Sequence, residues 1–541
     1  MPSQPPELRV EIDRLDEKRY RSRVTETAKN QEIVVNDFEY DPSLLLHIEA
    51  LRYIEEDGSR PDYKVKPTYL ADHGKRLFGW LFDDGMKIRD FLRFHPDFRE
   101  GWRVTIELHP DASLLWGLPW ELLHDGREHW TLRNVQIQRT PRGLPRLDVE
   151  QTPSPLRIMV AVSSPTDQPE LNSEQEIAII QNALDDAVRE SKVVLEFLEE
   201  VTLDGLREAL IESQAHILHY TGHGGRDAAT GETFLALVKD DGKTEPASGW
   251  QLQRNLGRGL RLVVLSGCMT AQTAHRDAFR GVATALLEDP GGLPAVLAFQ
   301  ASVLDDSAIE FAKAFYGSVA RGETVDEALA ASRLALVNRR GEARADWVLP
   351  TLYGRSPSLR LIDTAAKPVV IEMGQRQDVG GLPLPRNFVG RKAERRQIRA
   401  ALRDKQVNAV YVWGIGGMGK SALGAKMLER PGVEVNATLV IRCNEVLPAE
   451  IPGKFAAFLQ GQGVRGHAEA ASWLLDSRLD MGERVRKAAA LVADGQYLLV
   501  FDNFDDLLEE TEGSETRKVK DELRAFFQAV VTGREKGDKS N

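Results

Sequence analysis

Two short apolar runs in the middle of the chain each end in a side chain able to take part in acyl transfer. His216 to Tyr220 runs into Thr221, Gly222, His223, Gly224 and Gly225, and Leu262 to Leu265 runs into Ser266, Gly267, Cys268, Met269 and Thr270. An apolar run closed by glycine predicts a buried strand whose carboxyl end opens at the surface. Open α/β sheets place their ligands at that edge. If the two strands are neighbours in one parallel sheet, Cys268 stands beside His223, which precedes it by 45 residues. A cysteine attacks an amide as thiolate, and a nearby imidazole stabilises the thiolate and protonates the departing amine. Gly222, Gly224, Gly225 and Gly267 let a substrate backbone approach, and the amides near Gly224 and Cys268 are candidates for an oxyanion hole. His219 shares its side of the strand with His223 and reads as structural or supporting.

A second constellation lies downstream. Gly414, Gly416, Gly417 and Gly419 lead into Lys420 and Ser421, the pattern G-x-x-x-x-G-K-S, between a strand expected over Asn408 to Trp413 and a helix over Ala422 to Glu429. In such a P-loop the glycine amides cradle phosphates, the lysine reaches the β and γ phosphates, and the serine ligates magnesium. Tyr497 to Asp502 is an apolar run ending in a carboxylate suited to hold the same Mg2+. ATP or ADP with Mg2+ is therefore the expected ligand, and the first site needs no cofactor.

The elements that must position these residues follow from periodicity. A strand at Arg157 to Ser163 is followed by a helix announced by the capping box Ser173 and Glu176. Strand Val193 to Phe197, helix Leu203 to Glu212 and strand His216 to Thr221 come next, with an excursion through Phe234 to Lys239. Helix Trp250 to Leu256 precedes the cysteine strand, followed by helix Asp277 to Glu288, strand Ala295 to Gln300 and two helices from Asp306 to Val337. Alternating strands and helices predict an α/β fold with a parallel sheet covered on both faces. Upstream, Trp102 to Leu108 and Gln31 to Phe38 read as strands, while Ser43 to Glu55 and Pro67 to Phe94 carry helical periods. Residues 1 to 30 are polar and charged, so fraying is expected at the start. Leu118, Pro119, Trp120 and Glu121 read as a folding element. Between Thr364 and Asn387 neither period is sustained, and the composition of Val379 to Pro385 marks a linker. The resulting division is 1–100 accessory region, 101–363 first α/β domain, 364–387 linker and 388–541 P-loop domain.

Taken together, the segments around His223 and Cys268 resemble the CHAT branch of the caspase-like (clan CD) cysteine peptidases, relatives of caspases and separase. Gly281 to Leu287, Ala295 to Gln300, Glu310 to Tyr316, Ala328 to Arg333, Trp347 and Tyr353-Gly354 fall in that family's order, with Leu118 to Leu123 ahead of the core. The spacing of His223 and Cys268 is close to the roughly 50 residues of caspase-type enzymes. The resemblance implies a caspase-like parallel sheet flanked by helices, a protein substrate, Cys268 as nucleophile and His223 as general acid and base. It also matches Asp305 to an aspartate that faces a basic P1 side chain in separase-like enzymes. The competing reading is that Asp305 or Asp306 caps the helix starting near Ser307.

Phe388-Val389-Gly390-Arg391, the P-loop and Val500 to Asp506 resemble STAND-type signalling ATPases, relatives of NB-ARC and NACHT proteins. That likeness implies that Val389, Gly390 and Arg391 lie near adenine, and leaves room for a homo-oligomer through the ATPase domain. Asn503 stands where such ATPases often carry an acid, with Asp505 or Asp506 as substitutes. The sequence stops at Asn541, so the P-loop NTPase α/β domain is expected to be partial. The combined expectation is a caspase-like endopeptidase regulated by a nucleotide switch, in bacterial defence or programmed-death signalling. The alternative is a non-catalytic nucleotide-dependent scaffold that uses the caspase-like domain to bind partners.

Composition sets the background. A chain of 541 residues calls for two to four domains. A formal charge of −12 argues against nucleic acid or an anionic membrane as the main partner. The longest uncharged apolar stretch, Pro290 to Leu304, is too short to span a bilayer. Two cysteines, Cys268 and Cys443, exclude a disulfide framework and suit a reducing cytoplasm.

Overall fold

The computed structural model describes residues 6–44, 67–83, 86–95, 101–169, 173–267, 273–288, 292–300, 305–369, 377–384, 388–491, 496–510 and 517–532, apart from a few single residues or pairs within those ranges. The chain divides into two compact units, Met1–Val370 and Ile371–Asn541.

The first unit opens with an antiparallel meander of β1 (Glu7–Arg14), β2 (Arg19–Glu26) and β3 (Gln31–Glu39). Fraying was expected at the start, where residues 1–5 lie outside the described residues, and from Glu7 onward there is a strand. Leu8, Val10 and Ile12 alternate with Arg9, Glu11 and Asp13 and are fully buried, a period of two hidden in the sequence by the surrounding charge. Helices α1 (Pro67–Phe82) and α2 (Met86–Phe94) follow. The helix expected over Ser43 to Glu55 lies, beyond Leu44, outside the described residues. α1 covers the meander: Ser22 Oγ donates to the Leu81 carbonyl at 2.9 Å and Phe38 stacks on Trp80 with centroids 5.0 Å apart. β4 (Trp102–Leu108) pairs in parallel with both β1 and β5 (Val135–Pro141). Strands from the region read as an accessory segment thus extend the same sheet as the core.

The α/β part continues through β6 (Thr152–Pro153), β7 (Leu156–Val162), α3 (Ser173–Arg189), β8 (Val193–Glu199), α4 (Leu203–Ser213) and β9 (Ile217–Gly222). An excursion of β10 (Gly224–Arg226), β11 (Thr233–Val238) and β12 (Thr244–Ser248) leads to α5 (Gly249–Asn255) and β13 (Leu262–Gly267). Then come α6 (Thr273–Glu288), β14 (Ala295–Phe299), α7 (Asp305–Ala320), α8 (Val325–Arg340), β15 (Pro350–Gly354) and β16 (Ile362–Asp363). The large sheet has the order β3-β2-β1-β4-β5-β15-β14-β13-β9-β7-β8. Its halves meet where Leu352 and Tyr353 of β15 stand opposite Gln138 and Arg139 of β5. Helices cover both faces around β9. Tyr316 of α7 meets His219, whereas Phe279 of α6 meets Tyr220, and consecutive strand residues point to opposite faces.

The second unit begins with a hairpin inside the segment read as linker. β17 (Gln377–Val379) pairs with β18 (Leu382–Leu384) across Gly380 and Gly381, whose φ values of 61° and 91° fit a two-residue turn. Leu382 and Leu384 are buried against Ala425. The unit continues with α9 (Lys392–Arg403), α10 (Lys420–Glu429), β19 (Ala437–Arg442), α11 (Ile451–Gly461), α12 (His467–Leu475), α13 (Met481–Leu491), β20 (Tyr497–Asp502) and α14 (Asp521–Thr532). β19 and β20 form a parallel pair. The strand expected over Asn408 to Trp413 is a correction: Asn408 lies outside the described residues, residues 409–413 are not in a strand, and Val410, Tyr411, Val412 and Trp413 are exposed. An apolar run is held as a central strand only by neighbours that pair with its backbone, and among the described residues β19 and β20 pair with each other.

Candidate active site

The geometry of the first site is set by β9 and β13, which are parallel neighbours in register from Leu262 opposite Ile217 to Gly267 opposite Gly222. His223 follows the last residue of β9. Cys268 follows the last residue of β13 and lies outside the described residues. The His223 imidazole is buried, and its Nε2 lies 2.9 Å from the Pro169 carbonyl. A carbonyl only accepts, so Nε2 carries a proton there and Nδ1 is the acceptor nitrogen of the neutral ring. Sequence reasoning missed Pro169. The available signal was that the loop after β7, next to β9 in the sheet, ends at the same edge.

The backbone of His223 is held from below. Its carbonyl accepts from Ala236 N at 2.9 Å and lies 2.9 Å from the Tyr220 hydroxyl, which is also 3.1 Å from the Ala236 carbonyl. Burial pushes the Tyr220 phenol far above its ordinary range. Gly222 packs under Ser163, and a Cβ there would lie 2.9 Å from the Ser163 carbonyl. Gly224 opens β10 opposite Leu235. His219 points elsewhere: its Nδ1 lies 2.5 Å from the Tyr316 hydroxyl, and full burial pulls the imidazole down to about 4. It is a core histidine on the α7 face.

β14 lies on the other side of β13, paired from Ala295 opposite Leu262 to Ala298 opposite Leu265. α7 begins at Asp305, so Asp305 and Asp306 belong to its first turn, earlier than the start near Ser307 expected from the sequence. Their side chains lie outside the described residues. Ser307 Oγ donates to Asp346 at 2.7 Å.

In the second unit, Gly417 and Gly419 both have φ of 81°, a conformation only glycine adopts readily, and α10 starts at Lys420. Ser421 Oγ donates to Asp502 Oδ1 at 2.7 Å, bringing the two candidate magnesium ligands together at the end of β20. Lys420 Nζ donates to the Gly414 carbonyl at 2.8 Å. Arg391 Nη2 donates to the Met418 carbonyl at 2.9 Å, which places Arg391 against the loop beside Gly390. Val389 lies outside the described residues. Of the substitute acids, Asp505 accepts from Tyr411 Oη at 3.3 Å. The donor set fits a phosphate with a divalent ion: a cation, a hydroxyl and a carboxylate within one loop and strand end. Cys443 is buried, and burial pushes its thiol up to about 12. No helix among the described residues is long and apolar enough to cross a membrane.

A mostly parallel sheet covered by helices, with the strands that precede His223 and Cys268 in register, defines the first unit as a mixed α/β fold. The sequence matches the CHAT domain over residues 73–355, just over half of the chain, and the protein belongs to the CHAT-domain family. No curated protein is matched by sequence. Among solved structures, the Arg-specific cysteine proteinase gingipain R is similar at 13% identity and TM-score 0.34, over 55% of this chain and 76% of that one. The Saccharomyces cerevisiae separase–securin complex is similar at 12% identity and TM-score 0.38, over 66% and 30% respectively. A complex of the pro- and mature domains of Porphyromonas gingivalis RgpB is similar at 13% identity and TM-score 0.34, over 56% and 78%.

Proposed function

We propose that the first unit is a cysteine endopeptidase in which Cys268 is the nucleophile and His223 the general acid and base. The observation that carries this reading is the register of Gly222 opposite Gly267, since His223 and Cys268 each follow that rung by one residue. The Pro169 carbonyl supports it as a third group that orients the imidazole, the usual companion of a nucleophile and base. The mechanism follows. His223 Nδ1 accepts the thiol proton, Cys268 Sγ adds to the scissile carbonyl, and the oxyanion is held by amides near Gly224 and Cys268. The imidazolium then returns the proton to the departing amine, and water attacks the thioester with the same histidine as base. An activity-based thiol probe read by mass spectrometry tests this. Labelling is expected at Cys268 and not at buried Cys443, and His223→Ala should lose cleavage as severely as Cys268→Ala because the two act as one unit. A Cys268→Ala protein that keeps every activity of the parent would establish the scaffold alternative instead.

Asp305 is proposed as the reader of a basic P1 residue, supported by its place at the start of α7, after β14. A peptide library should then show Arg or Lys preference that Asp305→Asn weakens, and an acidic or apolar preference would exclude the role. The second unit is proposed to bind ATP or ADP, with Gly414, Gly416, Gly417, Gly419 and Lys420 on the phosphates, Ser421 and Asp502 on Mg2+, and Val389, Gly390 and Arg391 near the base. The bound ion would supply charge neutralisation at the phosphates. Lys420→Ala should abolish binding in calorimetry, and equal affinity in parent and variant would sink the assignment. A nucleotide-regulated peptidase of this kind suits cytoplasmic defence or death signalling.

A further inference from the structure

The ion pair beneath the end of β14 takes no part in the chemistry above. Glu121 and Arg139 are both fully buried, with Oε2 and Nη2 2.5 Å apart, while Glu121 Oε1 and Arg139 Nε have no hydrogen-bond partner among the described residues. Desolvating two such groups is expensive, and an incompletely bonded pair recovers the cost poorly, so apolar residues of similar volume would serve stability as well or better. What the pair does is hold its neighbours in place. Gln300 Nε2 donates to Glu121 Oε2 at 3.2 Å and also to Thr351 Oγ1, and Gln300 N donates to the Leu349 carbonyl at 2.9 Å. Arg139 Nη1 donates to the Trp116 carbonyl, and its guanidinium lies 5.7 Å from the Tyr353 ring centroid. Trp116 and Tyr353 stack with centroids 6.1 Å apart.

Trp116, Gln300 and Tyr353, with Arg280 of α6, line a small recess. Its position matters. Leu265 pairs with Ala298, so Gly267 and Gln300 each stand two residues past the same rung, on strands about 4.8 Å apart. We propose that Glu121 is a positioning residue for the peptidase reaction. By holding Gln300 directly, and Trp116 and Tyr353 through Arg139, it shapes this recess into a subsite for a side chain of the peptide substrate beside the cysteine strand. The proposal rests on the peptidase reading. A site of this kind needs walls whose own rotamers are locked by a supporting shell, and a buried charge with fixed partners supplies that where an apolar contact would not.

The test uses the full chain as parent, Glu121→Gln and Gln300→Ala, the latter leaving the counter-ion of Arg139 intact. Two quantities are read: kcat and KM on the peptide that the parent cleaves best from a fluorogenic library, and the rate at which iodoacetamide alkylates Cys268 across pH. Each variant is expected to raise KM roughly tenfold with kcat and alkylation changed less than about twofold. The double variant should be no worse than Glu121→Gln, since both act through one contact. An active parent with unchanged KM in both variants overturns this proposal alone. A joint fall of kcat, alkylation rate and thermal midpoint overturns it too, because the pair would then be holding the fold and not the recess. A parent that cleaves no peptide while Cys268 alkylates normally removes the peptidase reading, and this proposal with it.

Discussion

Replacing Gly222 by alanine tests the packing beneath His223. A methyl group there would lie 2.5 Å from the Tyr220 hydroxyl, 2.7 Å from the ring carbon bearing it and 2.9 Å from the Ser163 carbonyl oxygen, where ordinary contact begins at 3.4 Å. The phenol must withdraw by about 0.9 Å and the carbonyl by about 0.5 Å to restore contact distance. Neither is free to do so. Ser163 N donates to the Thr221 carbonyl at 2.9 Å, and the Tyr220 hydroxyl is held between the carbonyls of His223 and Ala236. Overpacking costs about 1–3 kcal/mol, and a buried hydroxyl pushed off its acceptors costs about 1–3 kcal/mol more. Gly222→Ala should therefore lose about 2–6 kcal/mol in urea unfolding followed by tryptophan fluorescence, and peptide cleavage should fall as His223 shifts. Adding Tyr220→Phe removes the nearest clashing atom, so the double variant should recover at least about 1 kcal/mol relative to the sum of the single effects. A Gly222→Ala protein within about 0.5 kcal/mol of the parent would refute the argument.

Two further outcomes are expected. His129 and His219 are pulled down to about 4 and His216 to about 3, in each case chiefly by burial; the unfolded chain binds more protons at these sites, so stability is fully present above about pH 6.5 and is lost as pH falls toward 4, by up to about 1.4 kcal/mol per pH unit for each histidine. Urea midpoints measured across that window should show the slope, and His219→Gln should flatten it. Leu382→Ala should cost about 2–5 kcal/mol in the second unit, because Leu382 is fully buried in the cluster with Ala425, and limited proteolysis near Gly380 should accelerate; an unchanged cleavage rate would make the hairpin an ornament of the linker.

The histidine and cysteine strands were legible because each is a short apolar run with glycine at its end, and their order in the sheet follows from alternation with helices. The N-terminal meander was obscured because a strand exposed on one face places charge at every second residue, so that composition reads as solvent-loving while period reads as sheet. Pro169 and the walls of the recess come from loops, strand ends and a helix, whose meeting depends on register and not on local pattern. The opposite failure occurred at Ala409 to Trp413, where local pattern predicts a strand and pairing decides against it. The hairpin at Gln377 to Leu384 was hidden by its own turn chemistry: two glycines between short apolar segments signal a linker and a hairpin equally well.

The joint between β5 and β15 bears on how the sheet comes into being. Gln138 and Arg139 meet Leu352 and Tyr353 in the middle of the large sheet, so the meander half, complete by Pro141, waits for more than two hundred residues of chain before its inner edge is paired. During synthesis that edge is an open template for strand pairing, and sequence-distant pairing is slow to form. Thr140 Oγ1 donates to the Gly354 carbonyl across the joint, and a Cβ on Gly354 would lie 2.8 Å from Gln138 Oε1. Closure thus depends on a late, narrow seam. Its occlusion by a competing strand would leave two half-sheets, with Trp116 and Arg139 on one and Gln300 and Tyr353 on the other, so the β14 recess would go unbuilt while His223 and the cysteine strand stayed together, which makes this joint the natural point of misassembly in the molecule.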